Sequence, residues 1–405
     1  MKRFTLSLFG FIALVAPLPA EDWPAFRGPR AEAISDAKEL PTKWSKTENI
    51  RWKTELPGRG ISSPVIAGGR VYLTAVSGFE QSRLHVLAFD ADSGKKLWER
   101  QIWATHYTNC HPASNMAANT GVADGANFYA LFGTGDLIAF DKDGNLQWYR
   151  SLGKDYPAIT NQVGMASSLA LWKNILFVPL ENAGDSFVAG LDTKKGENLW
   201  KVARPKNVNW VTPLVVNTPD HVEVVFQSNE DVSSYDPQTG KLLWKHEMPN
   251  PNPIPSLLYT HGTVFAPGKE YTAFRPGQGS KATEELWTNN KIQSGFTSPL
   301  YYKERIYYLG GSSVLNAINP KDGTSLEQLR IQGKKFWASP VVGAGKMYLI
   351  SEEGVTTVVE LGEQMKIVAT NELEDTIMAT PALVNGAFYI RSDKYLYCIG
   401  EKNRK

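Results

Sequence analysis

The sequence predicts an all-β fold, an eight-bladed β-propeller whose ring is closed by the N-terminal strand. Three observations lead there. Six tryptophans, Trp52, Trp98, Trp148, Trp200, Trp244 and Trp287, recur at steps of 46, 50, 52, 44 and 43 residues, a period that marks stacked-repeat architectures. Each repeat holds four short β-branched or aromatic runs between Gly, Pro, Asn and Asp clusters, the pattern of strands joined by hairpins. The last repeat stops at Cys398-Ile399-Gly400, one strand short, while the segment from Asn49 to Lys53 looks like a fourth strand without a sheet. Joining the two would close the ring and remove an exposed edge.

The first strand of each repeat follows a small polar residue, often with Pro, as in Ser63-Pro64-Val65 and Thr212-Pro213-Leu214. Eight such openings fall near Val65, Val122, Leu169, Leu214, Leu257, Leu300, Val341 and Leu383. The second strand is an aromatic run of the type Arg70-Val71-Tyr72-Leu73 or Lys346-Met347-Tyr348-Leu349. The third is Leu87-Ala88-Phe89-Asp90 and its copies, and the fourth carries Leu-Trp. Between them lies a turn from Asp to Gly: Asp90 to Gly94, Asp141 to Gly144, Asp192 to Gly196, Asp236 to Gly240, and Asn319 to Gly323. A short carboxylate or amide accepts nearby backbone N–H groups, and Gly supplies positive φ without a steric penalty. Because these Asp residues recur at equivalent places, they read as turn formers rather than catalytic acids. Repeats five to seven are degenerate: Phe274-Arg275-Pro276-Gly277 replaces the Asp turn, Glu327 replaces a Trp, and the seventh lacks a Trp. A seven-bladed ring is the alternative they leave.

Residues 21–405 read as a single propeller domain. Residues 1–20 read as a signal peptide: Lys2-Arg3, an apolar stretch too short to span a bilayer, and a cleavage site near Ala20. The expected location is periplasmic or secreted. No later segment is long and apolar enough for a membrane helix. With 43 basic and 41 acidic residues, net charge +2, nothing resembles a nucleic-acid footprint. Cys110 and Cys398 lie in different repeats, and spacing leaves their pairing open.

In a propeller, loops from every blade converge where the innermost strands begin. The candidate ligand-binding residues are therefore Arg59, Asn119, Gln162, Asn209, Trp210, Phe296 and Trp337, with Ser62, Asn115, Met116, Met165, Phe336 and Met378 beside them. The set is aromatic and apolar with a few amides, a composition suited to a pocket; its alternative is packing at the channel end. The longest irregular insert, Trp103 to Asn119 with His106, Tyr107, Cys110 and His111, reads as a lid rather than a metal site. Glu181, Asn182, Asp185, Glu230 and Asp231 are the oxygen-rich candidates for calcium, but Gly184-Asp185-Ser186 is equally a hairpin turn. No catalytic residue and no metal site is assigned. Nucleophile-elbow, P-loop and zinc-protease motifs are missing from the sequence.

The repeat Leu-x-Ala-Phe-Asp-x-x-Ser-Gly-Lys-x-Leu-Trp resembles the pyrroloquinoline quinone (PQQ) repeat, from Trp23 to Gly400. The opening Asp22-Trp23-Pro24-Ala25-Phe26-Arg27-Gly28-Pro29, with Cys110 to Asn115 and Asn182 to Phe187, is similar to an exported bacterial group of PQQ-like proteins. The resemblance implies an eight-bladed propeller with Trp-docking motifs. One branch binds PQQ and calcium, uses an Asp base, and often carries adjacent cysteines, which this chain lacks. Another, of barrel-assembly lipoproteins, uses the ring as a protein-binding scaffold; this chain has no Cys at the leader junction for a lipid anchor. The expectation is an exported, non-catalytic binding or scaffolding module with a protein or glycan partner at the channel mouth. The alternative is a PQQ- and calcium-dependent oxidoreductase acting on an alcohol or sugar.

Overall fold

The computed structural model describes residues 22–248, 251–277, 282–293 and 295–401. The segment read as a signal peptide lies outside them. The described residues form eight four-stranded antiparallel sheets, so the seven-bladed alternative falls. Blades 1 to 7 span residues 65–103, 122–151, 170–203, 214–247, 258–289, 300–330 and 341–372. Blade 8 is made of Ala382–Val384, Ala387–Arg391 and Tyr395–Ile399, with Ile50–Glu55 as its outermost strand. Trp52 pairs with Cys398 and Glu55 with Tyr395, so the N-terminal strand closes the ring as expected.

Each outermost strand carries a β-bulge beside the tryptophan position, as at Ala88/Phe89, Ala139/Phe140 and Gly190/Leu191. A bulge re-aims a side chain, and here the indole reaches the neighbouring blade. Trp52 Nε1 donates to Ala91 O at 3.0 Å, Trp98 to Lys142 O at 2.9 Å, and Trp148 to Thr193 O at 2.7 Å. Trp200 donates to Pro237 O at 2.9 Å and Trp287 to Pro320 O at 3.0 Å. Every acceptor follows the turn Asp or Asn of the next blade. The turn Gly lies on the indole face: a Cβ on Gly94 would stand 2.4 Å from the Trp52 ring, and φ there is +69°. The Asp side chains serve the turns, for example Asp236 Oδ1 accepting from Gln238 N and Thr239 N at 3.0 and 2.8 Å.

The degenerate blades show how docking survives. Blade 5 lacks the Asp turn, so Trp244 has no neighbouring carbonyl of this type. Its Nε1 donates instead to buried Glu223 Oε2 within blade 4, at 2.6 Å, and Ser234 Oγ donates to the same oxygen. In blade 6 the Glu327 carboxylate takes the indole's part and accepts Met365 N of blade 7 at 2.8 Å. In blade 7 Ala369 occupies the tryptophan register opposite Val358. There the N-terminal segment supplies Trp44, whose ring lies 6.4 Å from Tyr348 of blade 7 and 5.6 Å from Phe388 of blade 8. Its backbone N donates to Asn371 Oδ1 at 3.0 Å.

Residues 22–44 form a strap across the channel end remote from the blade-entry loops. Trp23 exchanges backbone hydrogen bonds with Ile66 of blade 1, at 2.8 and 2.9 Å, and Pro24 O accepts Ala123 N of blade 2 at 2.8 Å. Phe26 reaches the channel, buried Arg27 donates to Pro299 O beside blade 6, and Ile34 bridges Val342 of blade 7.

Candidate functional site: the channel mouth

The register of the two inner strands aligns all eight blades at the channel. Val65, Val122, Ala170, Leu214, Leu258, Leu300, Val341 and Ala382 each face Tyr, Phe or Val on the second strand. Two residues earlier in each blade stands a hydroxyl: Ser63, Thr120, Ser168, Thr212, Ser256, Ser298, Ser339 and Thr380. They form a belt. Ser63 N donates to Thr120 Oγ1 at 2.9 Å, Thr120 N to Ser168 Oγ at 3.1 Å, and Ser168 N to Thr212 Oγ1 at 3.4 Å. The pattern continues from Thr212 to Ser256, Ser298, Ser339 and Thr380. At the seam between blades 8 and 1, buried Arg391 braces the ring, donating from Nη1 to Ser62 Oγ at 2.6 Å and Thr74 O at 2.8 Å.

Two residues earlier again is the mouth: Ile61, Ala118, Ala166, Trp210, Ile254, Phe296, Trp337 and Met378, one from each blade in order. The ring is lopsided. Blades 2 and 3 contribute alanines, and the blades across the channel from them, 6 and 7, contribute Phe296 and Trp337. Those two rings stack in parallel with centroids 4.5 Å apart and planes 9° apart. The resulting cavity is about 330 Å³, and His111, Ala113 and Ser114 of the long insert line its rim. His111 N donates to Val163 O at 3.1 Å, which holds the insert against the loop entering blade 3.

The indole N–H groups are already engaged. Trp210 Nε1 donates to Gly164 O at 2.7 Å and Trp337 Nε1 to Glu352 Oε2 at 2.6 Å. The aromatics are thus fixed in orientation and offer a guest their apolar surfaces. Below them the belt leads down to Phe26, which floors the channel.

Of the candidate residues, Trp210, Phe296 and Trp337 converge on this cavity. Arg59 is exposed on a backbone bridge with Val76 and lies outside the lining, as does exposed Gln162. Asn119 and Asn209 are buried behind the mouth: Asn119 Nδ2 donates to Ser167 O at 2.8 Å and Asn209 Nδ2 to Glu181 Oε2 at 2.9 Å. Both tie one blade's entry loop to a neighbour, the use to which a buried amide is put. Met116, Met165 and Phe336 are buried as well, whereas Met378 lines the cavity. The inferred pocket set omitted Ile61, Ala118, Ala166 and Ile254. A signal for them existed: each mouth residue stands two positions before the Ser or Thr that opens its blade.

The oxygen-rich candidates separate. Glu181 and Asp231 come together, but the Arg204 guanidinium stands between them, 2.8 Å from Glu181 Oε1 and 3.0 Å from Asp231 Oδ1, with all three side chains buried. Burial opposes the Arg204 charge, yet the two carboxylates more than offset it and raise its pKa. Asn182 Oδ1 is taken up by Gly184 N at 2.8 Å, and Asp185 faces Lys201 at 3.3 Å. This donor set does not fit calcium, because a fixed cation already fills its centre. The lining does not fit PQQ either: a tricarboxylate needs several cations, and the cavity is walled mainly by Ile, Val, Ala, Met and aromatic carbons, with His111 and Ser114 as its polar side chains and no Arg or Lys. Among the described residues no group of three or more His, Cys, Asp or Glu is placed to hold a metal. Cys110 and Cys398 are both free thiols.

The family model described as outer membrane protein assembly factor BamB matches residues 27–179 and 180–405. The chain belongs to this BamB-type family of PQQ-repeat propellers. It is 22% identical over 362 residues to BamB of Burkholderia pseudomallei, covering 80% of this chain and 92% of that one. It is 23% identical over 348 residues to tetrathionate hydrolase of Acidithiobacillus ferrooxidans, covering 75% of this chain and 65% of that longer protein. Among solved structures, quinohemoprotein alcohol dehydrogenase from Comamonas testosteroni shares the fold, with a TM-score of 0.65 and 11% identity over 95% of this chain and 82% of that one. A BamB and a hydrolase thus stand at similar sequence identity, and a dehydrogenase shares the fold, so the chemistry of the mouth has to separate the functional readings. No described helix is long and apolar enough to cross a membrane.

Proposed function

We propose that this chain is an exported, non-catalytic binding module, working in the periplasm or outside the cell, whose channel mouth holds an apolar or aromatic side chain of a protein partner. The observation that supports this reading most is the lopsided ring: the fixed Phe296–Trp337 pair faces the gap left by Ala118 and Ala166. A rigid aromatic wall beside an apolar hollow is the geometry of an interface anchor site. A glycan would need polar atoms around its hydroxyls, and the mouth offers few, since its indole N–H groups are engaged internally. The Lys2-Arg3 start and short apolar stretch support export.

A photo-activated cross-linking residue placed at Met378 tests the proposal in the producing cell. A protein adduct is expected, and it should disappear when Ala166→Trp fills the hollow. Adducts that survive Ala166→Trp, or calcium-dependent oxidation of an alcohol or sugar after incubation with PQQ, would overturn it.

A further inference from the structure

The strap leaves one side of its channel end uncovered. It pairs with the inner edges of blade 1 through Trp23 and Ile66 and of blade 7 through Ile34 and Val342, and it meets blade 2 at Ala123. The equivalent inner strands of blades 3, 4 and 5 are Ala170–Trp172, Leu214–Asn217 and Leu258–Thr260. Among the described residues they carry no backbone hydrogen bonds beyond their own sheets. These edges face the strap across a cleft of about 520 Å³. Its walls include the half-buried side chains of Leu171, Trp172, Val215 and Tyr259, with Ala25 and Ala31 on the strap side and Arg30, Glu32, Asn217 and His261 among its polar lining.

An unpaired strand edge is a template for another chain. The molecule already uses this template locally, since Trp23 and Ile34 of the strap bridge the corresponding edges of blades 1 and 7. We propose that the cleft is a docking site for an extended, apolar segment of a partner polypeptide, which adds as a strand to the inner edge of blade 4 at Leu214–Asn217. Backbone N–H and C=O groups of the guest would pair with this edge. Alternate apolar side chains would lie against Trp172 and Tyr259, the half-turn period of a strand placing every second residue on one face. The site is separate from the mouth, being divided from it by Phe26 and the hydroxyl belt.

The probe is a displayed library of random peptides, selected against the protein beginning at Glu21. The best peptide is then remade with N-methyl amides at alternate residues, in both phases. Selected peptides should be apolar and extended, and their binding should slow hydrogen exchange of the amides in Leu214–Asn217. N-methylation in one phase should weaken binding about tenfold or more, and in the other phase much less, because one set of N–H groups faces the edge. Val215→Lys, at a half-buried position, should weaken binding comparably, while Ala166→Trp at the mouth should leave it unchanged. Peptides that respond to Ala166→Trp and not to Val215→Lys, or that tolerate N-methylation in both phases, overturn the proposal. So does failure to select any peptide whose binding slows exchange in Leu214–Asn217. If the protein beginning at Glu21 binds the peptide and the chain retaining residues 1–20 does not, the leader itself fills the cleft, and the partner assignment is wrong.

Discussion

At the scale of single residues, Glu223 shows what a broken repeat demands. The other docked indoles give their N–H to main-chain carbonyls, which side-chain substitution does not remove. Trp244 depends on one carboxylate, shared with Ser234. Glu223→Ala leaves two buried donors without partners, each worth about 1–3 kcal/mol, so urea unfolding should show a loss of about 2–6 kcal/mol. Glu223→Gln, which keeps an acceptor, should lose less. A second residue carries an acid response. Burial works against the Glu99 charge, but hydrogen bonds from Lys96, His85 and Gln101 outweigh it and hold the carboxyl at about 2. An unfolded Glu titrates near 4.3. Its folded pKa is therefore depressed, and the stability it contributes is present above about pH 4.3 and lost as pH falls toward 2. Urea midpoints of the wild type and Glu99→Gln should accordingly converge across that window and differ by a constant amount above it. None of this compensation was legible in the sequence. Glu327 and Glu223 are ordinary strand carboxylates until the neighbouring blade is in place, and the burial of Asn119 and Asn209 depends on loops that are remote along the chain. The aromatic part of the mouth was legible, because Trp210, Phe296 and Trp337 are large aromatics standing just before the opening strands, whereas the alanines and isoleucines at the same offset carry no such mark.

At the scale of elements, the N-terminal segment does three separate things: it straps the channel end, fills a vacancy between blades, and supplies a strand. Only the strand was legible, since Trp52 repeats a periodic signal, whereas the strap and Trp44 have no counterpart elsewhere in the chain. Trp44 packs where blade 7 presents Ala369 instead of an indole. Trp44→Ala should cost about 3–5 kcal/mol, the usual range for losing a large buried aromatic. It should do so although Trp44 belongs to no blade, and combining it with Ala369→Trp should recover part of the loss. Thermal or urea unfolding of the two variants checks this. The hydroxyl belt is a further element that sequence reading only glimpsed. The Ser-Pro and Thr-Pro openings read as strand starts, and their second role, accepting the neighbouring blade's N–H, emerges only when eight copies stand in a circle.

At the scale of the whole molecule, the period and the missing fourth strand were enough to read a closed eight-bladed ring, because each is a property of the chain's own repeats. Function was less legible, because it rests on where the repeats fail to repeat: alanines facing aromatics at the mouth, and inner-strand edges that the strap leaves unpaired at the other end. Removing residues through Trp52 should unseal blade 8, and the truncated protein should melt well below the protein beginning at Glu21 and associate through the exposed Tyr395–Ile399 edge, as sedimentation would show. The closure also sets an order of events during synthesis. Ile50 leaves the ribosome 349 residues before its partner Ile399. The strand that seals the ring must wait, unpaired, until the eighth blade has been made. A ring built this way cannot close before its eighth blade exists, so a ribosome that stalls before Tyr395 releases an open ring with a loose strand at one end and an unanswered edge at the other.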